Sequence, residues 1–377
     1  MTCVSIVRCG SYEYKDVRNA VEQSLLLLGG VERYIQPNSR VLVKPNILRG
    51  ADPRKAVTTN PAVVKAVCEL LEKIGCEIIV ADSPGGLYSR NRLEKIYKIT
   101  GLTEALRDTT AILNYNTETV EVSFPDAYIL RRFRVIKPVM EADHIITIPK
   151  LKNHVFTGFT GATKILYGVI PGMDKVFYHL QLKNLNNFSL MLLDLIRFIR
   201  PSLNIMDGII GMEGDGPNSG IPRYVGVILS SSDPFALDYV ALKIINREPK
   251  KLVMIKQAIS RGLSKDLDNI EVIGSTIDMV KIYDFIPPSD TRGLFNKIPG
   301  FIKKAAINIV AAYPEITKEC VGCGICREHC PVSAIRIENS VACIDYNRCI
   351  RCYCCHEFCP HSAVKVKKGY LARLLRL

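Results

Sequence analysis

Ten of the fourteen cysteines of this 377-residue chain lie between Cys320 and Cys359, and eight of them form two runs of one pattern. Cys320, Cys323, Cys326 and Cys330 follow the spacing C-x2-C-x2-C-x3-C-P. Cys349, Cys352, Cys355 and Cys359 repeat it with every position displaced by 29 residues, and Pro331 and Pro360 close the two runs. Three thiolates this closely spaced can grip three irons of one cube from a single loop, while the fourth points away and serves the other cube. The spacing therefore predicts two [4Fe–4S] clusters with crossed ligation. One takes Cys320, Cys323, Cys326 and Cys359; the other takes Cys349, Cys352, Cys355 and Cys330. Zinc is the alternative, but zinc sites pair C-x2-C knuckles about a dozen or more residues apart. A disulfide framework would spread its cysteines over a small secreted domain. Cys343 and Cys354 stand outside the runs, and Cys3, Cys9, Cys68 and Cys76 read as buried thiols in apolar contexts.

A second constellation lies upstream. His154 and His179 flank a glycine-rich segment after a strand-like run, and Lys150, Lys152 and Lys164 gather positive charge there, joined by Lys44 from a neighbouring strand end. Histidine titrates near neutrality and suits proton transfer or metal ligation; several lysines suit a carboxylate or phosphate. The expected site has His154, Lys164 and His179 as catalytic groups and Lys44, Lys150 and Lys152 as ligands of an anionic small-molecule substrate. The competing reading is a solvated basic loop with one satisfied histidine. Asp207, Glu213 and Asp215 lie in a glycine-rich stretch that suits a cation or simply a structural loop.

These residues need a frame. Up to about residue 285, strand and helix signals alternate. Val4–Cys9, Arg40–Lys44, Cys76–Ala81, His144–Ile148 and Tyr224–Leu229 read as strands. Asp16–Leu28, Pro61–Ile74 with Asn60 as its cap, Leu182–Ile199 and the run opened by Asp233-Pro234 read as helices. Lys150–His154 and Asp207–Gly220 read as loops. Alternation of this kind implies an α/β fold with a largely parallel sheet and helices on both faces, its ligands at the carboxyl edge. The divisions are a large domain over 1–290, an amphipathic linker helix over 291–314, the cysteine module over 315–368 and a basic tail over 369–377. The linker reads either as a helix packing the domains together or as one lying on a membrane surface.

The net charge is +13, which favours anionic partners. No zinc finger, RNP-like or helix-turn-helix pattern is present, so nucleic acid is not an expected partner. No apolar run reaches about 18 residues, and the N-terminus lacks the features of a signal peptide; the expected location is cytoplasmic.

Residues 315–367 resemble a bacterial-type two-[4Fe–4S] ferredoxin, carried by Cys330-Pro331-Val332-Ser333-Ala334-Ile335 and Cys359-Pro360-His361-Ser362-Ala363-Val364. The resemblance implies a small α+β domain. Tyr353 departs from it, standing where that family usually has Gly. Free ferredoxins of this kind are usually acidic, whereas residues 313–377 hold ten Lys and Arg against six Asp and Glu. That balance implies an acidic donor, such as a free ferredoxin or flavodoxin, as partner. Residues 1–285 resemble the family designated domain of unknown function 362. The motifs are Val43-Lys44-Pro45-Asn46, Ala81-Asp82-Ser83-Pro84-Gly85-Gly86, Pro149-Lys150-Leu151-Lys152-Asn153-His154, Asp207-Gly208 with Gly214-Asp215-Gly216-Pro217, and Asp233-Pro234-Phe235-Ala236-Leu237-Asp238. Fusion to a ferredoxin module is familiar there. The run His154 to Lys164, with Ile170-Pro171-Gly172 and His179, is similar to a segment of nickel-pincer lactate racemases. By position it implies acid/base, cofactor-tether and nickel-ligand roles for His154, Lys164 and His179. Ser83-Pro84-Gly85-Gly86 stands where those enzymes carry a further catalytic His, and Asn60 replaces their carboxylate-gripping Arg. The resemblance thus implies a shared core and loop rather than racemase activity, and the sequence names no second cofactor for the large domain.

The leading expectation is an anaerobic, ferredoxin-linked oxidoreductase. The alternatives are a non-enzymatic electron-transfer or docking subunit, and a non-redox isomerase or lyase with structural clusters. Protein isolated without oxygen should carry close to eight irons and eight sulfides; metal and sulfide analysis that finds only zinc refutes the cysteine reading.

Overall fold

The computed structural model describes residues 2–182, 184–264, 267, 269–289, 312–367 and 369. The linker helix expected over 291–314, apart from its last three residues, and the tail beyond Gly369 lie outside the described residues.

The strands are β1 (Cys3–Arg8), β2 (Arg40–Pro45), β3 (Glu77–Val80), β4 (Ile112–Leu113), a separate hairpin of β5 (Thr119–Ser123) and β6 (Arg132–Ile136), then β7 (His144–Ile148), β8 (Lys150–His154), β9 (Gly158–Phe159), β10 (Leu203–Glu213), β11 (Ile221–Ser231) and β12 (Glu271–Gly274). The sheet runs β12-β1-β11-β10-β7-β2-β3-β4. Along that order only the two pairings made by β11 are antiparallel; the others are parallel. The fold is therefore α/β with a mostly parallel sheet.

Alternation along the strands divides the core in two. Val41 and Val43 of β2 face a cluster that includes Val17 and Val21 of helix Tyr14–Leu27 and Val63 and Val67 of helix Pro61–Lys73. Leu42 faces the other side, where helices Leu185–Ile199 and Pro234–Ile244 contribute Leu192 and Leu237. A period of two along each strand sends neighbouring side chains to opposite faces, so both faces are buried. Helix starts follow local chemistry: the Asn60 side chain accepts from Ala62 N at 2.9 Å with Pro61 in the first turn, and Asp233 does the same for Phe235 N and Ala236 N.

Three local readings change. Lys150–His154 is a strand: after Pro149 the chain resumes as β8 and pairs with the far half of β10, Lys150 opposite Asp207 and Lys152 opposite Met212. Asp207–Glu213 likewise belongs to β10. Its glycines serve close packing: a Cβ on Gly208 would lie 2.9 Å from Val227 Cγ2, and one on Gly211 3.0 Å from Leu151 Cδ2. The helix expected from Leu182 begins at Leu185, capped by Asn184, and a separate helix, Gly172–Gln181, precedes it.

In the small module β13 (Tyr313–Ile316) pairs antiparallel with β16 (Val364–Lys367), and β14 (Ile335–Glu338) with β15 (Val341–Ile344). It therefore begins by Tyr313, which pairs with Lys367, rather than at 315. The 29-residue repeat is also a repeat of backbone shape: Gly324 has φ 80° and Tyr353 φ 61°, and Ser333 has φ 51° and Ser362 φ 52°. A tyrosine in the left-handed region costs about 1–2 kcal/mol relative to glycine; its hydroxyl donates to Ala312 O at 2.8 Å, a bond glycine cannot make.

Asp194, on helix Leu185–Ile199, accepts from the backbone N–H of Tyr128, Ile129 and Leu130 at 2.8, 2.8 and 2.9 Å and so ties the hairpin loop to the core. Asp194→Ala orphans these donors and should lower stability by about 2–3 kcal/mol, read as a shift in urea midpoint; a change below about 0.5 kcal/mol would show the loop to be independent.

Candidate functional site

The carboxyl edge of the sheet collects the charged groups. β2 delivers Lys44, the turn after β3 delivers Asp82, and β8 delivers Lys152 and His154. The short helix Gly161–Ile165 presents Lys164, and helix Gly172–Gln181 presents Lys175 and His179. The short helix is held by Asp238, whose carboxylate accepts from Ala162 N at 2.6 Å, Thr163 N at 2.9 Å and Thr163 Oγ1 at 2.6 Å. Burial raises the Asp238 pKa to about 7 against the pull of these bonds. A cavity of about 50 Å³ is lined by Lys44, Asp82, Lys152, Lys164, Lys175 and Glu357 among others, room for a few water-sized groups.

The cations differ in how they are satisfied. Lys44 Nζ is 2.7 Å from Asp82 Oδ1, with both side chains buried. Lys152 donates to Val57 O at 2.6 Å, and Lys175 donates to Ser83 O. Burial lowers the Lys175 pKa to about 7, Asp82 opposing. Lys164 has no hydrogen-bond partner among the described residues; burial lowers its pKa and the carboxylate of Glu357 opposes that. Lys150 does not line the cavity. Its ammonium is 2.7 Å from Asp207 Oδ2 and donates to Tyr12 Oη at 2.7 Å, so the expectation that it holds a substrate anion is corrected: its charge is already matched.

The two histidines stand beside Glu357 without lining the cavity. His154 Nδ1 accepts from Phe156 N at 3.0 Å and Thr157 N at 3.3 Å, which leaves the proton of the neutral ring on Nε2. That atom is buried, lies 3.7 Å from Glu357 Oε2 and has no hydrogen-bond partner. Burial, then Lys164, lowers the His154 pKa to about 3. His179 stacks on Phe188 with ring centroids 4.9 Å apart, and burial lowers it to about 4. Burial alone would raise Glu357, but Lys164, His154 and His179 together hold it well below the usual carboxylate range.

Glu357 comes from the cysteine module, on helix Cys354–Phe358. That helix is set into the large domain. A Cβ on Gly85 would lie 1.8 Å from the Phe358 ring, so the Pro84-Gly85-Gly86 turn is a seat for Phe358. Asn218 Nδ2 donates to His356 O at 3.2 Å and Cys359 O at 2.9 Å. The roles implied by the racemase resemblance do not fit: Lys164 faces Glu357, His179 is stacked among aromatic rings, and the turn that would carry a further His is filled.

The thiols form two quartets. Cys320, Cys323, Cys326 and Cys359 line one cavity, and Cys330, Cys349, Cys352 and Cys355 line another, with Cys354 beside them. Cys343 lines neither. Backbone N–H groups point at sulfur: Ala334 at Cys330 (3.1 Å), Ala363 at Cys359 (3.2 Å) and Ala342 at Cys320 (3.4 Å). Among the described residues no three His, Cys, Asp or Glu side chains converge as a single metal ion would require, whereas four thiols around a volume fit a cube. Asp207, Glu213 and Asp215 are engaged by Lys150, Ile286 N and Ser289 N.

Sequence reasoning missed Lys175, Asp82, Asp238, Glu357 and Phe358 as parts of the site. Asp82 and Asp238 lay inside motifs already singled out. Glu357 had one local signal, a carboxylate between two cysteines of the repeat, and nothing in the sequence says that it turns inward.

The unfolded chain protonates histidine near the ordinary value of about 6.5, the folded one only near 3 at His154 and 4 at His179. Between those limits the unfolded state binds the extra proton, so these residues make stability fall as pH drops below about 6.5. Asp238, raised to about 7, acts in the opposite sense as pH rises from its ordinary carboxylate value. His154→Gln should therefore flatten the acid-side slope by up to about 1.4 kcal/mol per pH unit. Urea titrations at several pH values between about 5 and 6.5 measure this, and an unchanged slope would refute a neutral buried His154.

Two family descriptions match separate segments of the chain. The family described as "Domain of unknown function (DUF362)" matches residues 41–243, and "4Fe-4S binding domain" matches residues 313–336. A thylakoid-associated protein of Synechocystis sp. is 35% identical over 262 residues, covering 69% of this chain and 80% of that protein. Among solved structures, the lactate racemase apoprotein of Thermoanaerobacterium thermosaccharolyticum superposes with a TM-score of 0.39 at 14% identity, over 62% of this chain and 55% of that one. A Thermotoga maritima protein gives a TM-score of 0.35 at 13% identity, over 60% and 57%. The chain thus spans a little over half the length of those two structures. By its matched segment and its Synechocystis relative, the chain belongs to the DUF362 family and carries a 4Fe-4S binding domain at its C-terminal end.

Proposed function

We propose that the protein is an oxidoreductase whose C-terminal module passes single electrons to a small anionic molecule held in the cavity at the carboxyl edge of the large domain. One observation carries this reading: helix Cys354–Phe358 and the residue after it form a wall common to both parts. Cys355 belongs to one thiol quartet and Cys359 to the other, while Glu357 and Phe358 between them line the cavity. When bound on the two quartets, [4Fe–4S] clusters supply one-electron carriers at this wall. Lys164 and Lys152 attract and orient the anion, Lys175 Nζ holds a proton that reduction consumes, and Phe358 seated on Gly85 keeps water out. Asp82 matches Lys44, so that lysine orders the site more than it adds charge. The basic module takes its electrons from an acidic donor such as a free ferredoxin or flavodoxin. Cysteines grouped as cluster ligands rather than as a disulfide framework suit a reducing, anaerobic cytoplasm.

A second reading, a non-enzymatic electron-transfer subunit, is favoured by Glu357 itself, because its carboxylate already supplies Lys164 with an anion. The two readings part on one experiment. Anaerobic, dithionite-reduced protein is mixed with unsaturated and oxo acids of two to four carbons while cluster absorbance is followed. At least one acid should reoxidise the module, and Lys164→Ala should slow this by about a hundredfold, the scale of losing one well-placed charge, with its EPR signals intact. If no acid reoxidises the protein, or Lys164→Ala performs like the parent, the substrate cavity is rejected and the second reading stands.

A further inference from the structure

The two thiol quartets are not equally placed. Of the eight cysteines only Cys323 is exposed; beside it Val321 is 57% exposed. Cys355 and Cys359 are buried toward the large domain, on the segment that carries Glu357. The quartet of Cys320, Cys323, Cys326 and Cys359 therefore has an outward side, and the inward side of the module is the cavity wall.

Beside the quartet, at its Cys359–Ala363 loop, runs an open groove of about 460 Å³, built from both domains. The large domain contributes Asp52, Arg54 and Lys55; the module contributes Ser362 and Lys365. The loop from Cys359 to Ala363 joins the two features, since Pro360, His361 and Ala363 line the quartet's cavity and Ser362 lines the groove. Three cations stand against one carboxylate, and that carboxylate is held by Arg54, whose side chain is 91% exposed. Lys55 and Lys365 are exposed as well. None of these cations is desolvated, so the groove has no means of gripping a small anion tightly; exposed charge of one sign instead attracts a large body of opposite charge from a distance.

We infer that this groove is the docking surface for an acidic one-electron carrier protein, seated across Arg54, Lys55 and Lys365 so that electrons enter at the quartet of Cys320, Cys323, Cys326 and Cys359 and leave toward Glu357. In each encounter the carrier is oxidised by one electron and the module is reduced by one, and no proton changes hands at the surface. The inference rests on the module's electron-transfer role and adds the place and polarity of entry.

The test uses the full chain with its clusters loaded. Reduction of the module by a reduced acidic flavodoxin is followed by stopped flow at low and at raised salt, and binding of oxidised flavodoxin is followed by calorimetry. The double variant Lys55→Glu with Lys365→Glu should bind at least tenfold more weakly and be reduced about tenfold or more slowly at low salt, with the difference closing as salt screens it. Reduction by dithionite should be the same in both proteins. Lys251→Glu, an equal reversal at an exposed position outside the groove, should leave carrier binding and reduction as in the parent. Equal losses in Lys251→Glu would show that net charge alone is at work and overturn the inference, as would parental rates in the double variant. Inorganic phosphate bound in the groove without competing with flavodoxin would overturn it too. Failure of dithionite to reduce the parent would instead strike the electron-transfer reading itself.

Discussion

A carboxylate removed from water needs a matching cation and donors, and in this protein one such match is made across a domain boundary. Glu357 belongs to the cysteine module, while Lys164, His154 and His179 belong to the large domain. Glu357 and Lys164 line the same cavity, and their attraction across the boundary helps set where the module sits. Phe358 on Gly85 and Asn218 between His356 O and Cys359 O add shape and direction to that placement. His154 Nε2 remains without a hydrogen bond beside the carboxylate, so the contact is electrostatic rather than hydrogen-bonded on that side.

The same rule explains the rest of the sheet edge. Five lysines are buried there: Lys44 pairs with Asp82 and Lys150 with Asp207, Lys152 and Lys175 donate to backbone carbonyls, and Lys164 feels Glu357 without a hydrogen bond to it. Where an acid pairs directly with the charge, as Asp82 does with Lys44 and Asp207 with Lys150, the lysine is a structural member. Where only carbonyls do, the ammonium keeps attraction to spare for a ligand, and burial brings Lys175 to about 7. The proposed site draws on both kinds: Lys44 and Lys152 come from strands β2 and β8, Lys164 and Lys175 from helices Gly161–Ile165 and Gly172–Gln181.

In the module the repeat is enforced by backbone geometry as much as by sulfur. Each half needs a left-handed residue ahead of its short helix, supplied by Gly324 in one and Tyr353 in the other. Tyr353 tolerates the strain while its hydroxyl holds Ala312 O, just ahead of the strand that opens the module. The two halves thus bring the fourth cysteine of each run to the other's quartet, which neither run could complete alone.

The cysteine repeat, the α/β class and the helix caps at Asn60 and Asp233 were determined by the sequence itself, because each depends on spacing or on hydrogen bonds reaching only a few residues. The gathering of His154, Lys164 and His179 near one carboxyl edge was also legible, since strand ends bring such loops together. Tertiary structure alone decided which charges remain free. Lys150 and Lys152 are two residues apart on one strand and look alike in sequence, yet Asp207 takes the first and the cavity receives the second. Glycines at 208 and 211 read as loop signals and proved to be contact points in β10, because only a packed neighbour reveals the missing space for a Cβ. Glu357 stands about two hundred residues from the groups that hold it, and no local pattern encodes a partner at that distance: burial energy depends on what surrounds a charge, and only the folded chain supplies the surroundings.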